Sequence, residues 1–185
     1  NTTLIHTNAS GLSRIEKTGG YLYLNGANAR LRNAAGASLT IDTSGGSFYT
    51  YYFSGTGGTL QNQGTLNKVG DGEFHMYNPT HLEQAGTLNI QRGSIVLDGS
   101  SHTQSGTTTL AADTEFQITG SGSLAVSAAA RFTGAGLIRH IGGSSTTVTL
   151  ADGARIDADY ALASGTVYLG GAATMNGRLL WTGGT

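Results

Sequence analysis

Two kinds of side chain in this sequence could do acid–base or metal chemistry: eleven carboxylates and five histidines. Five of the carboxylates fall in two short stretches. Asp71 and Glu73 lie in "VGDGEF", and Asp152, Asp157 and Asp159 lie in "LADGARIDADY". Two carboxyls about 5–10 Å apart, one with a raised pKa, can hydrolyse a glycosidic bond. Several such oxygens together can hold calcium. Both stretches also contain Asp-Gly, the pair ordinary turns favour, and eleven acids spread over 185 residues produce such neighbours by accident. The histidines are His6, His75, His81, His102 and His140, and none has metal-ligand spacing. Without cysteine, a zinc site needs at least three of them together. No Gly-x-Ser-x-Gly elbow and no phosphate-binding Gly-rich loop occurs. The expectation is therefore no catalytic residue, no metal and no cofactor, with packed or surface histidines.

Binding residues are better candidates. Five of the 14 aromatic side chains (eight Tyr, five Phe, one Trp) fall within residues 48–53 of "GGSFYTYYFSGTGG". In a strand, Phe48, Thr50 and Tyr52 point one way and Tyr49, Tyr51 and Phe53 the other. With one face buried, at least two rings face outward. The bland alternative is a loop or cap that folds over and hides both faces. An exposed aromatic shelf marks an interaction site, and tyrosine suits one because its ring is flat and its tip polar. A sugar ring could stack there, or another copy of the chain could dock. Tyr21 and Tyr23, upstream in "YLYLNG", are placed to extend the shelf. The expected ligand surface is thus Phe48, Tyr49, Tyr51, Tyr52, Phe53, Tyr21 and Tyr23.

The elements that position these residues are legible as short alternating runs. "YLYLNG" at 21–26, "SLTID" at 38–42, "TLNIQ" at 87–91, "SIVLDG" at 94–99, "EFQITG" at 115–120 and "TVYLGG" at 166–171 each end at or within two residues of Gly, Asn or Asp. They read as strands with turn punctuation, and no helical apolar period persists for three turns. "GTL" recurs at 58–60, 64–66 and 86–88, with "ASL" at 37–39 and "GTT" at 106–108. The steps from 37 to 58, from 64 to 86 and from 86 to 106 are nearly equal. "TLAADTEF" at 109–116 echoes "TLADGARI" at 149–156, with Leu110 over Leu150 and Phe116 over Ile156. A degenerate period of about 20 marks a solenoid whose rungs must stack to bury their apolar sides. The predicted fold is all-β, a parallel β-helix (β-solenoid) of about 20 residues per rung and about nine rungs, on the order of 40 Å long. Leu, Ile, Val and Phe should point inward, and Ser, Thr and Asn outward. Asn-Gly at 25–26 and 176–177 would suit an antiparallel sandwich, but the repeats favour the solenoid. Residues 1–185 form one domain in this reading, with 1–20 as a capping or donated segment.

Composition limits the partners. Charged residues are 11% of the chain and the net charge is −1, with no basic run, which argues against nucleic acid. No stretch of about 18 apolar residues exists, so this segment is not expected to insert into a membrane. Outward Thr rows in "GTTTL" at 106–110 and "STTVTL" at 145–150 could form a flat, water-ordering face, but β-propensity with solubility is the preferred explanation.

"GTLQNQGTLNKVGDGEF" at 58–74, "AGTLNIQRGSIVLDG" at 85–99, "TLADGARI" at 149–156 and "GRLLWTGGT" at 177–185 resemble β-helical repeats of large bacterial surface proteins. These are the filamentous-haemagglutinin-like adhesins and autotransporter passenger regions. The resemblance implies a non-enzymatic, secreted or cell-surface bacterial rod for adhesion, self-association or filament assembly. Its partners would be further copies of itself, or host and cell-surface glycans or proteins. The closing "WTGGT" looks like the opening of a further rung, so the chain is expected to be part of a longer rod. A different class stays open beside this: a polysaccharide-binding or polysaccharide-degrading β-helix with Asp157 or Asp159 in its groove.

Overall fold

Every short alternating run becomes one side of a coil. The computed structural model describes residues 3–6, 13–16, 21–26, 28–51 and 56–185. Every named element is a strand, from β1 (Thr3–His6) to β24 (Leu179–Trp181). Every third strand joins the same sheet, and each strand pairs in parallel with the strands three before and three after it. The first sheet runs from β1 to β22 (Thr166–Leu169), the second from β2 (Ser13–Glu16) to β23 (Thr174–Met175), and the third from β3 (Leu22–Tyr23) to β24. The chain is therefore a three-sided parallel β-solenoid of about seven turns of roughly 22 residues.

The turn length is less uniform than expected. The longest steps come first, where Thr3 pairs with Arg30 and Arg30 with Thr59. Later steps are shorter, as from Thr59 to His81 and from Thr147 to Thr166. The two long early coils reduce the expected nine rungs to eight strands per sheet. Seven steps of about 4.8 Å give a rod roughly 34 Å long.

Apolar side chains form rows along the axis. Phe48, Phe74, Ile95, Phe116, Ile138 and Tyr160 succeed one another on the inner face of the third sheet. Leu39, Leu66, Leu88, Thr108, Phe132 and Ile156 do so on the second. All are buried. The recurring small residue before the second sheet marks a corner where rungs touch closely. Ala37, Gly64 and Gly86 accept amide hydrogens from Thr65, Thr87 and Thr107 of the next rung. A Cβ on Gly106 would run into the Gly86 carbonyl.

Two expectations about the repeat change. Gly58-Thr59-Leu60 lies on the first sheet, whereas Ala37 stacks under Gly64 at the entry to the second, so the step from 37 to 58 joined different sides. The echo of 109–116 in 149–156 likewise links different sides. Leu110 and Phe116 belong to the second and third sheets, Leu150 and Ile156 to the first and second. What the two share is a corner: Asp113 and Gly153, in equivalent places, have φ of 60° and 86°. The left-handed conformation there favours Gly and tolerates Asp.

Polar residues are also not confined to the outside. Asn33, Asn62, Gln84 and Gln104 form a buried row on the first sheet. Lys68 is fully buried in a row with Ile41, Ile90 and Leu110. Its ammonium donates to the carbonyls of Gly70 and Arg92, each at 2.8 Å. Burial pushes the amine down to about 8, with Asp71 and Asp42 resisting. Between that value and the ordinary 10.5, the unfolded chain holds more protons than the folded one. Stability should therefore rise with pH across this window, by up to about 1.4 kcal/mol per pH unit. Urea unfolding at pH 7.5, 8.5 and 9.5 should show the rise in the parent and not in Lys68→Met. An equal rise in both would show that Lys68 is not its source.

Within the segment 1–20, two strands join the coil: β1 pairs with Arg30–Asn33 and β2 with Ser38–Asp42. At the other end Trp181 lies beside Leu162 in the third sheet. Thr185 then exchanges backbone hydrogen bonds with Gly165 and Val167 on the first.

Candidate functional site

Phe48, Tyr49 and Tyr51 occupy a strand, not a covering loop. Phe48–Tyr51 is the sixth strand, β6, lying between β3 and β9 (Glu73–Met76). Phe48 and Thr50 are buried, with Phe48 5.6 Å from Phe74 centroid to centroid. Tyr49 and Tyr51 face outward, as period-two alternation requires. Tyr52 and Phe53 lie outside the described residues.

The outward rings gather in one patch over three rungs. Tyr23 stands opposite Tyr51, and Tyr49 opposite His75. The Tyr21 ring lies 5.8 Å from Tyr49 and 5.4 Å from Tyr51. Tyr77 meets Tyr51 edge-on at 5.5 Å and stacks on His75 at 4.1 Å. Such pairs are worth about 0.5–1.5 kcal/mol each beyond area burial, so they hold one another in place. Tyr21, Tyr23 and Tyr51 nevertheless remain 52%, 47% and 40% exposed. Partial burial and the neighbouring Tyr49 push the Tyr77 hydroxyl up.

An acidic edge borders the patch. His75 Nε2 is 3.6 Å from an Asp98 carboxylate oxygen, and Nδ1 is 3.7 Å from Glu73. Both distances exceed a hydrogen bond, and Nε2 is buried without a hydrogen-bond partner among the described residues. Tyr21, Tyr51, Tyr77, Asn78 and Asp98 line a shallow groove of about 560 Å³. The patch stops at the next rung, where the row through Tyr49 and His75 continues as Val96, Gln117 and Arg139. Sequence reading found the tyrosines but missed His75, Tyr77, Asn78 and Asp98. The signal was present in "EFHMYN": Phe74 and Met76 point inward, so His75 and Tyr77 point outward.

The carboxylates of the degrading alternative are engaged. Asn176 and Arg155 hold the Asp157 carboxyl below its usual range. Asp159 accepts the Arg178 amide hydrogen and pairs with its guanidinium at 2.9 Å. Asp152 accepts the Ala172 amide hydrogen, and Asp71 pairs with Arg92 at 2.9 Å. A general acid needs a raised pKa, and the shift at Asp157 has the opposite sign. Among the described residues, no three His, Cys, Asp or Glu side chains stand close enough to share a metal ion.

A Ser–His pair went unnoticed in the sequence. His81 Nδ1 lies 2.9 Å from Ser100 Oγ and 3.0 Å from the Ser101 carbonyl. A carbonyl only accepts, so Nδ1 carries the hydrogen and has no lone pair to activate Ser100. The Thr rows do not share a face: 107–110 lies on the second sheet and 147–150 on the first, with Thr108 buried.

No protein-family model, curated protein or solved structure matches this chain.

Proposed function

We propose that this chain is a non-enzymatic β-solenoid rod, secreted or held on a bacterial cell surface, whose aromatic face is an adhesive surface. The observation that carries this reading is the patch of Tyr21, Tyr23, Tyr49, Tyr51, His75 and Tyr77. It lies on one side of a rod whose other outward positions are mostly Ser, Thr, Asn and Gln. Exposed aromatic clusters of this kind are interaction surfaces. The fold supplies what adhesion asks of a scaffold, because stacked rungs hold the rings in a fixed array.

Self-association is the second mode of the same reading. Leu169, Leu179, Leu180 and Trp181 are exposed on the last turn of this sequence, where either a following rung of the same chain or another copy would cover them. Leu162, Val167, Leu169, Met175 and Trp181 share an apolar hollow there. Head-to-tail contact at rung ends produces an open filament because it need not close.

Both modes are read in one experiment. Purified rods are imaged by negative stain across a concentration series and applied in parallel to immobilised host-cell and bacterial surfaces. The expected result is surface retention that falls at least tenfold in Tyr21→Ala/Tyr51→Ala, or filaments that lengthen with concentration. Isolated rods at every concentration that no surface retains would overturn the proposal.

A further inference from the structure

The groove beside Tyr51 has the chemistry of a saccharide site. We infer that it binds an uncharged hexose chain laid along the rod axis, an inference that rests on the adhesive-face reading above. Three phenol rings, one amide and one carboxylate make its walls: Tyr21, Tyr51, Tyr77, Asn78 and Asp98. The rings are not coplanar. Tyr21 is tilted 44° to Tyr51, and Tyr77 stands 78° to Tyr51. They form a cup, not a flat shelf, and a cup suits a ring with C–H groups on its faces and hydroxyls on its rim.

The polar walls fit those hydroxyls. The Asp98 carboxylate accepts hydrogen bonds, and the Asn78 amide both donates and accepts. Asn78 is exposed, so its amide is open to solvent and to a ligand. The His75 ring stacks on Tyr77, helping to fix that wall, and its Nε2 lies 3.6 Å from an Asp98 carboxylate oxygen. Pre-positioned groups lose less entropy on binding.

Charge narrows the ligand class. Among the described residues, the groove walls contain Asp98 and no cation, with Glu73 close behind His75. A uronate or sialate would meet like charge. A second copy docking the same face by two-fold symmetry would bring Asp98 towards Asp98, which disfavours self-pairing here. The axial repeat supports a chain ligand. Successive tyrosines stand one rung, about 4.8 Å, apart, which is close to the length of one hexose unit.

The test is affinity electrophoresis through gels containing β-glucan, mannan, galactan or, as the acidic control, polygalacturonate. The expected result is retardation by at least one neutral polymer and none by polygalacturonate. Tyr51→Ala and Tyr77→Ala should each weaken that retardation at least tenfold, and Asp98→Ala three- to tenfold. Circular dichroism checks that each variant keeps its strands, and Tyr21→Ala, at a largely exposed ring, serves if Tyr77→Ala does not fold. Retardation that survives Tyr51→Ala and Tyr21→Ala overturns the site, as does stronger binding to polygalacturonate. If no neutral polymer binds while surface retention still depends on Tyr51, the saccharide is overturned and the adhesive face stands. If neither is seen, both fall.

Discussion

Asn62→Leu should cost this protein about 3–5 kcal/mol, a large part of the 5–15 kcal/mol typical of a folded domain. The side chain is fully buried and close to leucine in size, so cavity formation is a minor part of the loss. Its amide donates to Gln84 Oε1 at 2.8 Å and to the Thr87 carbonyl at 2.9 Å, while its oxygen accepts from Asn33 at 2.7 Å. Leucine leaves those groups buried and less satisfied, and each unmet buried polar group costs about 1–3 kcal/mol. The row also shows how to relieve the loss. Beyond Gln104 the same inner position is occupied by Val126 and then Leu150. An apolar side chain therefore fits the position where no polar neighbour expects a partner. Asn33→Leu/Asn62→Leu/Gln84→Leu should be much less destabilised than the sum of its three single changes. Urea unfolding of the four variants measures the coupling. Strict additivity would mean that the side chains of the row do not stabilise one another.

The fold was legible because a solenoid repeats its demands. Most strands show inward apolar alternation, and the corners have small or turn-forming residues. The number of sides was not legible. Three sides with similar corners produce similar short sequences, so "TLAADTEF" and "TLADGARI" match as corners on different sides. Uneven coils hid the true register, since the coil from Arg30 to Thr59 is much longer than the one from Thr147 to Thr166. Buried polar residues were misassigned for a related reason. Asn62 and Lys68 look like surface residues by type. Their positions, two after inward Leu60 and Leu66, place them inside. The candidate site was half legible. A dense run such as 48–51 is visible in sequence, but His75 and Tyr77 arrive one coil later as isolated aromatics. Only the register brings them beside Tyr49 and Tyr51.

Acid should unfold the rod at a milder pH than its carboxylates alone would require, because two histidines are folded in neutral form. His102 sits in an inner row between Leu82 and Leu124, where leucine and valine are the rule. Its Nδ1 accepts the Leu82 amide hydrogen at 3.1 Å, so that nitrogen cannot take a proton without breaking the bond. Its Nε2 has no hydrogen-bond partner among the described residues. Burial, with His81 adding a smaller effect, pushes the ring down to about 3. His140 is buried against Tyr160, with Nδ1 3.1 Å from the phenol oxygen, and burial lowers it as well. In the unfolded chain both rings bind a proton near pH 6.5, while folded His102 waits until about 3. Below pH 6.5 the unfolded state therefore holds more protons than the folded one. Stability is complete above that pH and falls as pH drops, by up to about 1.4 kcal/mol per pH unit for each ring. Asp42, held low chiefly by its hydrogen bonds from Ser44, stabilises in full above its ordinary 3.8 and loses that contribution only below it, so its loss comes later in the titration. Urea unfolding at pH 7, 5.5 and 4.5 should show the parent losing most of this stability. His102→Leu, which restores the apolar row, should flatten the slope by up to about 1.4 kcal/mol per pH unit. His140→Leu should remove part of the remainder. A parent whose stability is level from pH 7 to 4.5 would show that neither ring is held neutral by the fold.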